Sequence, residues 1–201
     1  MSVNWAYIMQ MGMRMKLNGI FVLAVVGLVV AFVATSCVAT DEFAPKQRTQ
    51  IEKYLSGKEY RVTADSAFVY LAGNKYEIPE TDRRQGALVG DRVTFNFEAY
   101  IFESNGPEDL PYYTNKQYVA EMLPEDLNTE YWHFEPMVAT IGAGDILNPL
   151  EEAFEGCING DSLLVFLTSS IAYGSTGMGI VPKDTPVMMI LTVEGVETKS
   201  E

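Results

Sequence analysis

The chain has 201 residues, with 27 acidic against 14 basic side chains and a formal net charge of −13. So acidic a balance excludes nucleic acid as a partner, and it excludes charge-driven adhesion to anionic lipid. The one histidine, His133, and the two cysteines, Cys37 and Cys157, are too few to assemble a metal-ligand cluster, so neither metal nor cofactor is expected.

Residues 1–36 hold no Asp or Glu, and their only charges are Arg14 and Lys16. The run from Gly19 to Ala34 is uncharged and almost wholly apolar. A basic flank, an apolar centre and a small-residue end describe a secretory signal. The end, Ala34-Thr35-Ser36-Cys37, resembles a bacterial lipobox, with alanine where leucine is usual. Cleavage there would leave Cys37 acylated as the new N-terminus. The alternative is an uncleaved membrane anchor with Cys37 a plain thiol. Both put the remainder in the cell envelope, tethered to a membrane; the lipid-anchored form is expected at the outer membrane, facing the periplasm or the surface. With Cys37 lipidated, Cys157 has no disulfide partner and reads as a small buried hydrophobe.

Residues 37–47, polar and broken by Pro45, read as a tether. An N-terminal extension over 48–89 follows. It has a short helix over Thr49–Leu55, strands at Tyr60–Thr63 and Ala67–Ala72, and a turn at Gly73-Asn74. A main domain is expected over 90–197. In Arg92–Phe102, Val93, Phe95, Phe97, Ala99 and Ile101 alternate with polar residues, the period of a half-buried strand. The connection at about 103–135 is long, proline-broken and rich in aromatics, with Lys116–Met122 helical. So long a connection is often functional. Its Tyr112, Tyr113, Tyr118, Tyr131 and Trp132 fit either a satellite core or a lid over a peptide. His133 reads as a partly buried structural residue, not a base.

Met137–Ile141 reads as a strand and Gly142–Gly144 as a turn. Asn148–Phe154 reads as a helix with Asn148 at N-cap, Pro149 at N1 and Glu151 at N3, a capping-box pattern. Glu151 and Glu152 then favour the positive end of the helix dipole. Asp145 fits a pocket rim or a turn equally. Asp161–Thr168 and Pro186–Glu197 are strands. Between them Tyr173-Gly174 opens a glycine-punctuated loop that closes on Ile180-Val181-Pro182, apolar and nearly free of catalytic groups. The order gives an α+β domain, a curved antiparallel sheet with one short helix across it.

Several of these features, in order, resemble the C-terminal half of an FKBP-type peptidyl-prolyl cis-trans isomerase. They are Gly142, Asp145-Ile146-Leu147, Leu150-Glu151-Glu152-Ala153-Phe154, Asn159-Gly160-Asp161, Ala172-Tyr173-Gly174, Gly177, Ile180-Val181-Pro182 and Val187–Val193. The resemblance extends loosely back to Gly90. It implies a half-barrel sheet wrapped around one helix, with a proline pocket between them. It also implies isomerisation of X-Pro bonds in proline-containing segments of exported proteins.

Carried over by position, the resemblance implies a pocket of Phe97, Met137, Ile146, Leu147, Leu150, Tyr173, Val181 and Met189, with Ile180 packing the loop and Asp145 near the rim. The binding hydrogen bonds would come from the Leu147 N–H and the Tyr173 hydroxyl. Tyr112-Tyr113-Thr114-Asn115 resembles the family's aromatic-aspartate step, with Tyr113 in the aspartate's place. Leu150 replaces the usual tryptophan floor, Phe97 a tyrosine, and Met137 and Met189 phenylalanines. Such a pocket is softer than an aromatic one. The alternative is therefore a non-catalytic peptide- or protein-binding lipoprotein on the same fold.

Overall fold

A computed structural model describes residues 43–76, 86–124, 129–130 and 132–199. They all belong to one compact unit, Asp41–Glu201. The expected signal, Cys37 and Tyr131 lie outside the described residues. Among the described residues, no helix is long and apolar enough to cross a membrane.

In chain order the elements begin with α1 (Phe43–Tyr54), β1 (Arg61–Val62), β2 (Phe68–Asn74) and β3 (Arg92–Glu103). The inserted connection carries β4 (Gly106–Pro107), β5 (Tyr113–Thr114) and α2 (Gln117–Ala120). Then come β6 (Met137–Thr140), α3 (Asn148–Ala153), β7 (Asp161–Leu167) and β8 (Val187–Glu197). The strands form one antiparallel sheet in the order β1-β2-β7-β8-β3-β4, with β5 and β6 also on β3. This is a curled half-barrel of the α+β class.

The alternation of β3 holds: Val93, Phe95, Phe97, Ala99 and Ile101 are all buried. They join Leu163, Val165, Leu191 and Val193 in a core closed by Leu150 and Ala153 of α3 and by Phe154, its C-cap. The Phe154 ring lies 4.7 Å from that of Phe95. Cys157 is buried in the same core. The opposite face of the sheet is also covered. There Ile51 and Leu55 meet Phe68, Phe102, Phe166 and Met188. Cover on both faces explains the unbroken apolar run of β7: Val165 and Leu167 face α3, while Phe166 faces α1.

Several local expectations are corrected. The first helix begins at Phe43, inside the expected tether, not at Thr49. Pro45 sits in its first turn, where a missing N–H costs nothing. Gly73 and Asn74 belong to β2, which bulges between Leu71 and Gly73, and the turn falls on Lys75 and Tyr76. Leu147, not Asn148, caps α3, and no side chain bonds the cap. His133 is exposed, not partly buried.

Glu151 is only 3 % exposed, yet it does not reach back to its own helix cap. Its carboxylate accepts the backbone N–H groups of Gly142 (2.8 Å), Gly144 (3.2 Å) and Ile146 (3.3 Å). Glu152 accepts the N–H of Ala64 at 2.7 Å. Both carboxylates therefore tie other segments to α3. Their part is more than favouring a helix end.

Candidate functional site

The loop between β7 and β8 is shaped by its backbone. Met178 and Val181 exchange both backbone hydrogen bonds, at 3.0 and 2.9 Å. This tight reversal puts Ile180 at the tip, 56 % exposed, and turns Val181 into the core at 2 %. Gly177 has φ +69, and a Cβ there would lie 2.6 Å from the Val181 carbonyl oxygen. No other residue fits that approach.

Both feet of the loop are held from outside the half-barrel. Gln47 of α1, 4 % exposed, donates through Nε2 to Ser169 Oγ (3.0 Å) and to the Asp184 carbonyl (2.8 Å). Its Oε1 accepts the Ser169 N–H at 2.8 Å. The sequence carried a signal for this residue. Gln47, Ile51 and Leu55 recur every fourth position and so share one helix face. A tether running to residue 47 hid it.

The Tyr173 hydroxyl meets the Tyr112 hydroxyl at 3.0 Å. Tyr112 is 7 % exposed. Burial first, and then the bond to Tyr173, pushes its phenol well above the ordinary value of 10.0. It therefore stays protonated at any ordinary pH. When Tyr112 donates, Tyr173 keeps its own hydrogen for a peptide carbonyl.

Phe97, Tyr113 and Trp132 form a second group of rings. Phe97 lies 5.0 Å from Tyr113, and Tyr113 lies 5.0 Å from Trp132, each edge to face. Phe97 is fixed by its neighbours on β5. The Thr114 hydroxyl donates to the Phe97 carbonyl (2.7 Å), and the Asn115 Oδ1 accepts the Phe97 N–H (2.8 Å). Asn115 also donates to the Glu135 carbonyl at 2.9 Å, which closes the inserted connection on itself. These polar anchors are buried, and nothing in their spacing distinguished them from ordinary loop residues.

The expected site residues differ in burial. Phe97, Leu150 and Val181 are buried in the main core, and Tyr113, Ile146, Tyr173 and Met189 pack partly buried against it. Met137, Leu147 and Ile180 are exposed. Asp145 is a turn residue: its carboxylate accepts the Thr140 N–H at 2.9 Å. The Leu147 N–H donates to no group among the described residues, while its carbonyl accepts the Leu150 and Glu151 N–H groups of α3. Of the aromatics singled out in the connection, Tyr112, Tyr113 and Trp132 make ring contacts with other expected site residues or with each other, Tyr118 faces solvent, and Tyr131 lies outside the described residues.

Phe97 and Tyr112, buried in the main core, and Tyr113, Tyr173 and Met189, packed against it, thus belong to one apolar cluster that carries one hydroxyl pair. Among the described residues, no group of His, Cys, Asp and Glu could hold a metal ion. No protein-family model matches the sequence, and no curated protein matches it. Similarity appears in the structure. A peptidyl-prolyl cis-trans isomerase from Pseudomonas syringae pv. tomato aligns over 79 % of this chain and 96 % of its own, with TM-score 0.51 and 14 % identity. FkpA from Escherichia coli aligns over 98 % of this chain and 84 % of its own, with TM-score 0.49 and 12 % identity. The half-barrel on one short helix, matched over nearly the whole of the Pseudomonas isomerase, is the FKBP-like fold.

Proposed function

We propose that this protein is a peptidyl-prolyl cis-trans isomerase acting on X-Pro bonds of exported envelope proteins. The observation that carries the reading is the Tyr173 hydroxyl, braced by Tyr112 at 3.0 Å against an apolar cluster. An X-Pro bond isomerises unaided in tens to hundreds of seconds. The barrier to peptide rotation, about 18–20 kcal/mol, reflects lost amide resonance. No nucleophile is needed. An apolar wall strips water from the amide, and the twisted form, with its charge less separated, loses less by desolvation. A hundredfold acceleration needs only about 2.7 kcal/mol of preference for the twisted form. The Tyr173 hydroxyl and the Leu147 N–H, which has no acceptor among the described residues, supply donors for flanking carbonyls, and proline has no N–H to leave unpaired.

The test is a proline-limited refolding assay with the full-length chain. Wild type is expected to accelerate refolding, and Tyr173→Phe to lose about three- to tenfold in kcat/KM, the worth of one hydrogen bond of about 0.5–1.5 kcal/mol. A wild-type rate equal to the uncatalysed one sinks the enzyme reading.

A second reading, a non-catalytic peptide- or protein-binding lipoprotein, is favoured by Tyr113. It fills the place of a carboxylate with a ring wedged between Phe97 and Trp132. That reading predicts capture of proline-containing chains with no gain in rate. In both readings the chain is lipid-anchored through Cys37 in the cell envelope. Cys37→Ser should abolish incorporation of a labelled fatty acid and release the protein from the membrane fraction. Unchanged labelling would remove the anchor assignment.

A further inference from the structure

Beside the exposed Leu147 backbone lies a groove of about 460 Å³, lined by Ile146, Leu147, Asn148, Pro149, Ile171 and Asp65. The volume suits a side chain with its flanking backbone. Five of these residues come from α3, its approach and the foot of the Tyr173 loop. Asp65 comes from the β1–β2 turn, part of the N-terminal extension.

That turn is held rigidly against α3. Ala64, before Asp65, donates its N–H to Glu152 at 2.7 Å. Ser66, after it, takes a left-handed φ of 68 and donates to the Thr63 carbonyl at 2.9 Å. The Thr63 hydroxyl accepts the Ala67 N–H at 3.0 Å. Arg61 spends its guanidinium on the carbonyls of Glu152, Ala153 and Glu155, at 3.0, 2.7 and 3.1 Å. It does not pair with Asp65. The exposed Asp65 carboxylate has no partner among the described residues. On a backbone held in place, an anion with no partner among the described residues therefore lines a groove that Leu147 also lines, in a chain of net charge −13.

We infer that Asp65 makes this groove select proline segments carrying Lys or Arg close to the proline. The inference rests on the isomerase reading for the placing of the proline. A peptide whose carbonyl meets the Leu147 N–H lays its next side chain along Ile146 and Ile171. The methylene stem of Lys or Arg covers those apolar residues while its charged end reaches Asp65. A glutamate in the same place meets a like charge. Asp65 touches the flank and not the reacting amide, so it acts on KM and leaves kcat unchanged.

The experiment uses the full-length chain and labelled proline peptides with Lys, Ala or Glu at each of the two positions beside the proline. Binding is read by fluorescence anisotropy and isomerisation by exchange NMR. At low salt, and at one of the two positions, Lys should bind about threefold tighter than Ala and Glu about threefold weaker, the scale of one exposed ion pair. The spread should vanish near 1 M salt, where the screening length is about 3 Å. Asp65→Asn should flatten it and Asp65→Lys reverse it, each series read relative to the Ala peptide on the same variant. A flat wild-type series, or one that survives Asp65→Asn, overturns the proposal. The charge series without any gain in rate sinks the isomerase reading and leaves the selection standing. No peptide binding at all overturns both.

Discussion

Glu151→Ala is expected to destabilise the protein by about 2–4 kcal/mol, since charge-assisted hydrogen bonds to backbone donors are lost together. The carboxylate gathers the N–H groups of Gly142, Gly144 and Ile146 onto α3. Gly142 and Gly144 both take positive φ, at 82 and 80, so the segment has little shape of its own to fall back on. The loop ends at Leu147, whose N–H faces the proposed peptide. Loosening it therefore weakens peptide binding as well as the fold, by roughly tenfold if one oriented hydrogen bond is lost. Glu151→Gln keeps one acceptor and should recover about half of the stability. Urea denaturation gives the energies, and amide chemical shifts of residues 142, 144 and 146 report the bonds. A change under about 0.5 kcal/mol with unmoved amide shifts would show that the carboxylate does not hold the loop.

Deleting the chain through Ser56 should have the largest effect of all, leaving an unfolded or aggregating product. Ile51 and Leu55 are both 0 % exposed. At about 1.5–3 kcal/mol for each buried aliphatic side chain, their loss alone removes about 3–6 kcal/mol. A domain of this kind has only about 5–15 kcal/mol to lose. The deletion also bares Phe68, Phe102, Phe166 and Met188, now at most 3 % exposed, as one apolar face. Circular dichroism and size-exclusion chromatography of the deleted chain check this. A soluble monomer unfolding within about 0.5 M urea of wild type would show that the sheet does not need α1.

The strand at 92–103 was legible because Val93 through Ile101 alternate without a break, and the reversal between β7 and β8 because Gly177 and Gly179 announce positive φ. The helix of α3 was legible, but its cap was not. The spacing of Asn148 and Glu151 fits a local capping box, whereas Glu151 is captured by a loop that arrives from the preceding strand. β7 shows no clean alternation because what covers its second face is α1, far away in sequence. The hydroxyl pair of Tyr112 and Tyr173 likewise joins residues 61 positions apart. Periodicity reports which face of an element is buried. It carries no information on which distant element does the burying, and the site is built mainly from such meetings.

Gln47 has a mechanical consequence. Its amide fastens Ser169 and Asp184, the two ends of the segment that carries Tyr173, to the helix that begins the described chain. A pull on the chain at Phe43 therefore loads these bonds before it loads the long ladders of β3, β7 and β8. The first thing such a force would alter is the seating of the loop that carries the Tyr173 hydroxyl, with the barrel behind it still intact.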